Sequence, residues 1–233
     1  MRIIFNSPHK PLTQSRIPLD ILVAAHTPLG SGGAPEEARR NRVFAAIRCQ
    51  PVEYGLGLNR DGKTTYLSSD GNPYGVTTPD LRGTQTIAIH NHPDTEEGDR
   101  DRPFSLTDIA HAIENEVTAT YVVSPKHSNK LAPANRSWLP AGRDVALFTR
   151  ALKELEQKIS EKSRSTACQF LTQISQQIAR QQLQGTISEH QTESLYQKAL
   201  DESRELCNHE LHAVIAKLAK HFNWEYERVK DGN

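Results

Sequence analysis

The chain has 233 residues, and its 28 lysines and arginines are balanced by 28 aspartates and glutamates. That length suits one or two domains, and zero net charge argues against a strongly basic nucleic-acid binder or a polybasic membrane-surface protein. A hydrophobic content of 36% and a mean hydropathy of −0.62 imply that part of the chain is polar and thinly cored.

The N-terminal apolar run, Ile3-Ile4-Phe5, is too short for a secretory signal. Residues 1–34 read as an irregular arm, with Arg2–Phe5 and Asp20–Ala25 as short apolar runs among Pro8, Pro11, Pro18 and Pro28. Gly30-Ser31-Gly32-Gly33 is a joint. A helix follows, with Pro35 at its first position, Glu36 and Glu37 in its first turn and Arg48 at its end. After Pro51, Val52–Leu58 and Lys63–Leu67 form a hairpin about Asn59-Arg60-Asp61-Gly62.

Residues 68–83 read as a loop and Thr84–His92 as a strand. On that strand Ile87 and Ile89 share one face, and Ala88, His90 and His92 the other. An acidic loop, 93–104, leads to a helix over Ser105–Glu116, where Leu106, Ile109, Ala110 and Ile113 recur at helical spacing behind a Ser105 cap. Thr118–Val123 is the next strand, and His127 falls in a loop. Residues 35–140 therefore form an α/β domain.

From 141 to 233 the texture is helical. Phe148, Leu152, Leu155 and Ile159, then Phe170, Ile174 and Ile178, mark one amphipathic helix; Gly185 breaks it. Ser188 and Gln191 make a capping box, and Leu195, Ala199, Leu206, Leu211, Val214, Leu218 and Phe222 mark a second helix. An antiparallel helical hairpin is expected, with Phe222, Trp224 and Tyr226 as its packing end or as a partner contact. Cys207, His209 and His212 read as a solvated helix face. The three cysteines, Cys49, Cys168 and Cys207, are dispersed and odd in number, which suits a reducing, cytoplasmic setting. No apolar run approaches the ~18–20 residues that span a bilayer.

The chemistry concentrates in His90-Asn91-His92-Pro93 and Ser105-Leu106-Thr107-Asp108. Two imidazoles two residues apart on a strand point the same way. A carboxylate in the first turn of the next helix projects back toward them. Two His and one Asp suit Zn²⁺ and leave a tetrahedral position for water. A carboxylate outside that set must then take the water's proton.

These residues resemble the signature of the JAMM (JAB/MPN-type) metalloproteases, particularly the prokaryotic, RadC-like branch. Glu53-Tyr54-Gly55-Leu56-Gly57-Leu58 stands upstream, where that family carries its glutamate. The resemblance covers about residues 35–130. It implies a JAB/MPN-like (cytidine-deaminase-like) mixed sheet flanked by helices, one Zn²⁺ on His90, His92 and Asp108, Glu53 as proton carrier and Ser105 as donor to the oxyanion. It implies an isopeptidase or peptidase acting on a protein substrate, such as a ubiquitin-like modifier or its conjugate in a bacterial conjugation system. The alternatives are a non-catalytic binding or scaffold module on the same fold, or a RadC-like protein of nucleic-acid metabolism, against which the zero net charge argues. The family spaces its second His and its Asp more closely than the fifteen residues, 93–107, found here. The excess lies in the acidic loop, which with 68–83 flanks the site and is placed to clamp an extended tail. The hairpin is a candidate for homo- or hetero-oligomerisation.

Overall fold

The computed structural model describes residues 17–28, 35–73, 75–93 and 102–230. Its centre is a six-stranded mixed sheet in the order β2-β1-β3-β4-β5-β6. The strands are β1 (Gly55–Leu58), β2 (Thr64–Ser68), β3 (Ile87–Asn91), β4 (Ala119–Val123), β5 (His127–Pro133) and β6 (Trp224–Lys230). Only β3 and β4 run parallel, and the connection between them carries α3 (Leu106–Glu114). All other neighbours are antiparallel.

Side-chain alternation divides the molecule into three layers. Leu56, Leu58, Ile87, Ile89, Tyr121 and Val123 face one way and bury α1 (Leu19–His26) and α2 (Pro35–Ile47) through Ile21, Val43, Phe44 and Ile47. Ala88, Val122 and Leu131 face the other way, onto α3, α4 (Val145–Leu183) and α5 (Glu189–Phe222), through Leu106, Ile109, Leu152, Leu211 and Ile215. His90 and His92 share the parity of Ala88, so they point toward the α3 side.

Helix α3 forms as its periodicity predicts, with Leu106, Ile109, Ala110 and Ile113 buried. The α4/α5 hairpin also forms, and the Ser188/Gln191 capping box closes in both directions. The first turn back is made at Gly185, φ +67°, a left-handed conformation that costs glycine nothing.

Three expectations need correction. The arm over 1–34 is not irregular throughout: Leu19–His26 is helical, with Ile21, Ala24 and Ala25 buried at i, i+3, i+4 spacing. His127 is not in a loop but opens β5. Trp224 and Tyr226 are not the end of a hairpin; they lie in β6, the sixth strand, paired with Pro133 and Leu131 of β5. The segment 141–233 is therefore not simply an extension. It returns to the sheet, and Trp138 and Trp224 meet edge to face with ring centroids 5.5 Å apart. Their indole N–H groups donate to Val117 and Trp138 carbonyls, each at 2.7 Å. The acidic loop falls mostly on residues 94–101, outside the described residues.

No helix among the described residues is long and apolar enough to cross a membrane.

Candidate metal centre

The C-terminal end of β3 sets the site. Gly55 of β1 pairs with His90, and beyond that pair His92 N–H donates to the Val123 carbonyl of β4 at 2.9 Å. Both imidazoles thus hang from backbone that is fixed on two sides. At the neck of α3 the Ser-x-x-Asp sequence is a closed capping box. The Ser105 hydroxyl accepts from Asp108 N–H at 3.0 Å, and the Asp108 carboxylate (Oδ2) accepts from Ser105 N–H at 2.7 Å. The cap that starts the helix therefore also aims its carboxylate at the strand.

That aim brings three donors together. His90, His92 and Asp108 each place a ligand atom within 4.8 Å of the others, and no other such group occurs among the described residues. Asp108 Oδ2 lies 3.5 Å from His90 Nε2 and 3.8 Å from His92 Nε2. Both Nε2 atoms are buried without a hydrogen bond. Buried imidazole nitrogens are rarely left so. A divalent cation on the two nitrogens and the carboxylate would satisfy them, and N/O donors of this kind fit zinc.

The tautomer of His92 can be derived. Its Nδ1 lies 3.1 Å from the Arg102 carbonyl, which can only accept, so Nδ1 carries the proton. Burial, helped by the His90 charge, pulls its pKa down to about 3, which keeps the ring neutral and leaves Nε2 a bare lone pair. A ring N–H anchored to a carbonyl is the usual outer support of a metal-binding histidine. For Asp108, burial works against the charged form, but His90, His92 and the Ser105 side chain overcome it and hold the carboxyl well below the ordinary range.

Glu53 lies just before β1 and is 4% exposed. It is not one of the three converging donors, yet it is within electrostatic reach of His90 and Asp108. Burial pushes its pKa up to about 8; His90 opposes the rise and Asp108 adds to it. Its Oε2 is buried with no hydrogen-bond partner. Its backbone, by contrast, is held on both sides: Glu53 N–H donates to the Asn72 carbonyl, and Ser69 Oγ donates to the Glu53 carbonyl, each at 2.9 Å.

The loop over 68–83 supplies those last two partners. Asp70 gathers Thr77 through its N–H and hydroxyl at 2.7 Å. Thr78 Oγ1 lies 2.7 Å from His111 Nε2, and Leu81 N–H donates to Asn115 Oδ1 at 2.9 Å. His111, three residues after Asp108, is thus not a ligand; it fastens this loop to α3. Gly55 makes room for the loop. A Cβ there would sit 3.1 Å from Val76 and 3.4 Å from Thr78.

Some contributors carried no sequence signal. Glu156 of α4 accepts from Thr107 N–H at 2.9 Å and pairs with Arg102 at 3.4 Å, tying α4 to both flanks of the Ser105 cap. Phe104, fully buried, meets the His90 ring at 6.5 Å. Among the described residues, the C-terminal histidines join no group of converging donors. His209 is exposed, and His212 Nδ1 is hydrogen-bonded to the Tyr226 hydroxyl.

No protein-family model, curated protein or solved structure matches this chain.

Proposed function

We propose that the chain is a zinc-dependent peptidase or isopeptidase that acts on a protein substrate, with a ubiquitin-like modifier or its conjugate as the substrate class. The observation that carries this reading is the convergence of three ligand atoms around two buried, unbonded Nε2 atoms, with a buried carboxylate outside the set. His90, His92 and Asp108 would hold the metal. A zinc ion held there would supply Lewis acidity for the scissile carbonyl and would lower the pKa of water toward ~7.

The remaining work falls to the chain's own residues. Glu53, with its proton affinity raised by burial, takes a proton from the attacking water and later delivers it to the leaving amine. The Ser105 oxygen already accepts from Asp108 N–H, so its hydroxyl proton is the part left to donate toward the developing oxyanion. Arg102 fixes the His92 ring through its carbonyl. The cap fixes Asp108. Little has to reorganise when charge develops, which is how a preorganised site lowers a barrier.

The test is to incubate the protein with ubiquitin-like fusions, with and without a chelator, alongside Glu53→Gln. Hydrolysis that chelator abolishes, zinc restores and Glu53→Gln lowers by about 10²–10⁴-fold supports the reading. Equimolar bound zinc with no hydrolysis of any fusion would move the protein to the class of binding modules.

A further inference from the structure

Asn91 stands between the two histidines but faces the opposite layer. Ile87, Ile89 and Asn91 share a parity, and the first two are packed among the apolar side chains that cover α1 and α2. A carboxamide at 0% exposure beside that layer would be costly without partners. It has two, both of them backbone groups of the segment that carries Glu53. Asn91 Oδ1 accepts from Tyr54 N–H at 2.7 Å, and Asn91 Nδ2 donates to the Val52 carbonyl at 3.1 Å. The backbone adds a third bond, Asn91 N–H to the Tyr54 carbonyl at 3.4 Å.

The two side-chain bonds bracket Glu53, one on the residue before it and one on the residue after. They act where the β1–β3 ladder has ended, since the last paired residues are Gly55 and His90. Glu53 needs such support because its own carboxylate makes no bond at Oε2. A carboxylate that is not held by its head must be aimed by its backbone. Asn72 and Ser69 hold that backbone from the loop side; Asn91 holds it from the strand that carries both histidines. One residue of β3 therefore bonds to both neighbours of Glu53 while carrying His90 and His92 on either side of it.

We propose that Asn91 is a positioning residue. It locks the Glu53 segment to the His90/His92 strand, and so fixes the general base against the metal site. The inference rests on the role given to Glu53 above.

The test uses the zinc-loaded full chain with Asn91→Leu, which keeps the volume and removes both bonds, and Asn91→Ser, a smaller change should the first fail to fold. Zinc content is expected to stay at one per chain, and KM to stay within about twofold to threefold. The expected fall in kcat is about 10–100-fold, the scale of a 1 Å misplacement. In a Glu53→Gln background the same substitution is expected to cost almost nothing further, because the group it positions is already disabled. An equal loss of kcat in both backgrounds would overturn the proposal. Two readouts do not depend on turnover. Tyr54 amide exchange is expected to accelerate, and a crystal structure of the variant is expected to show the Glu53 carboxylate displaced by about 1 Å or more. A protected Tyr54 amide and an unmoved Glu53 would overturn the clamp even if no fusion is cleaved, whereas absent cleavage with a displaced Glu53 would overturn only the peptidase reading.

Discussion

The cost of keeping Glu53 buried can be measured without any substrate. In the metal-free protein its pKa stands at about 8, against 4.5 for an ordinary glutamate, mainly because burial disfavours the charge. Between those two values the unfolded chain has lost a proton that the folded chain keeps. Stability therefore falls as pH rises from about 4.5 toward 8, and is level again above that. Each pH unit of the window is worth about 1.4 kcal/mol, so the whole effect is of the order of 5 kcal/mol. Glu53→Gln removes the titration and leaves a buried amide that also lacks partners, which returns about 1–3 kcal/mol of the gain. The variant is expected to fall about 1–3 kcal/mol below wild type near pH 4.5 and to exceed it by about 2–4 kcal/mol at pH 8.5 and above. Urea unfolding at a series of pH values in the presence of chelator reads this directly. With zinc bound, the cation beside Glu53 favours the carboxylate, and the variant's advantage is expected to shrink. A stability difference that does not change between pH 4.5 and 8.5 would refute the assignment of a protonated, buried Glu53.

Other consequences are equally concrete. Asp108→Ala removes a converging donor and one half of the capping box; zinc measured by elemental analysis is expected to fall from one per chain to near zero, and the metal-free protein to lose about 1 kcal/mol in urea unfolding. Gly57→Ala would place a Cβ 2.4 Å from the Tyr66 ring and Thr65 Oγ1, and about 1–3 kcal/mol of destabilisation is expected from the same assay. Trp224→Ala removes the edge-to-face partner of Trp138 and the bond to its carbonyl; thermal unfolding is expected to report a loss of about 3–5 kcal/mol. By contrast Lys162→Ala, which breaks a 2.8 Å ion pair with Glu210 on the exposed part of the hairpin, is expected to change stability by less than about 1 kcal/mol.

The elements that sequence patterning reveals are those whose partners are local. The periodicity of Leu106, Ile109, Ala110 and Ile113 gives α3, and strand parity alone puts His90 and His92 on one side. The Ser105 cap is legible because capping is a four-residue event. Helix α1 is harder to read. It has only eight residues, and the prolines around it look like loop punctuation, yet Ile21 is buried because α2 packs over it. Strand β5 carries Ser128, Asn129 and Lys130, a run with no apolar alternation; it is a strand because β4 and β6 offer it partners on both sides. Strand β6 does alternate, through Trp224 and Tyr226, but its pairing lies about ninety residues back in the chain. The same limit applies at the site. The three converging donors follow from spacing, whereas Glu156, Phe104 and the Thr78–His111 contact depend on packing between distant segments. Asn91 received no role from the sequence, because its two side-chain partners, Tyr54 and Val52, lie almost forty residues back on the chain.

The route from β5 to β6 has a consequence for how the chain assembles. These strands are neighbours, but α4 and α5 lie between them in sequence. Were that stretch a flexible loop of roughly 90 residues, closing it would cost about 4 kcal/mol of chain entropy. Two rigid helices that run out and back return the chain to its starting point with little left to search. The hairpin thus acts as a measured detour. Its tip can be shortened by matched turns on both helices while β6 still arrives in register, whereas trimming one helix alone would swing the last strand away from the sheet. Because β6 follows the detour in the chain, the edge of β5 stays open until the detour is complete, and the Trp138–Trp224 contact is the seal that closes it.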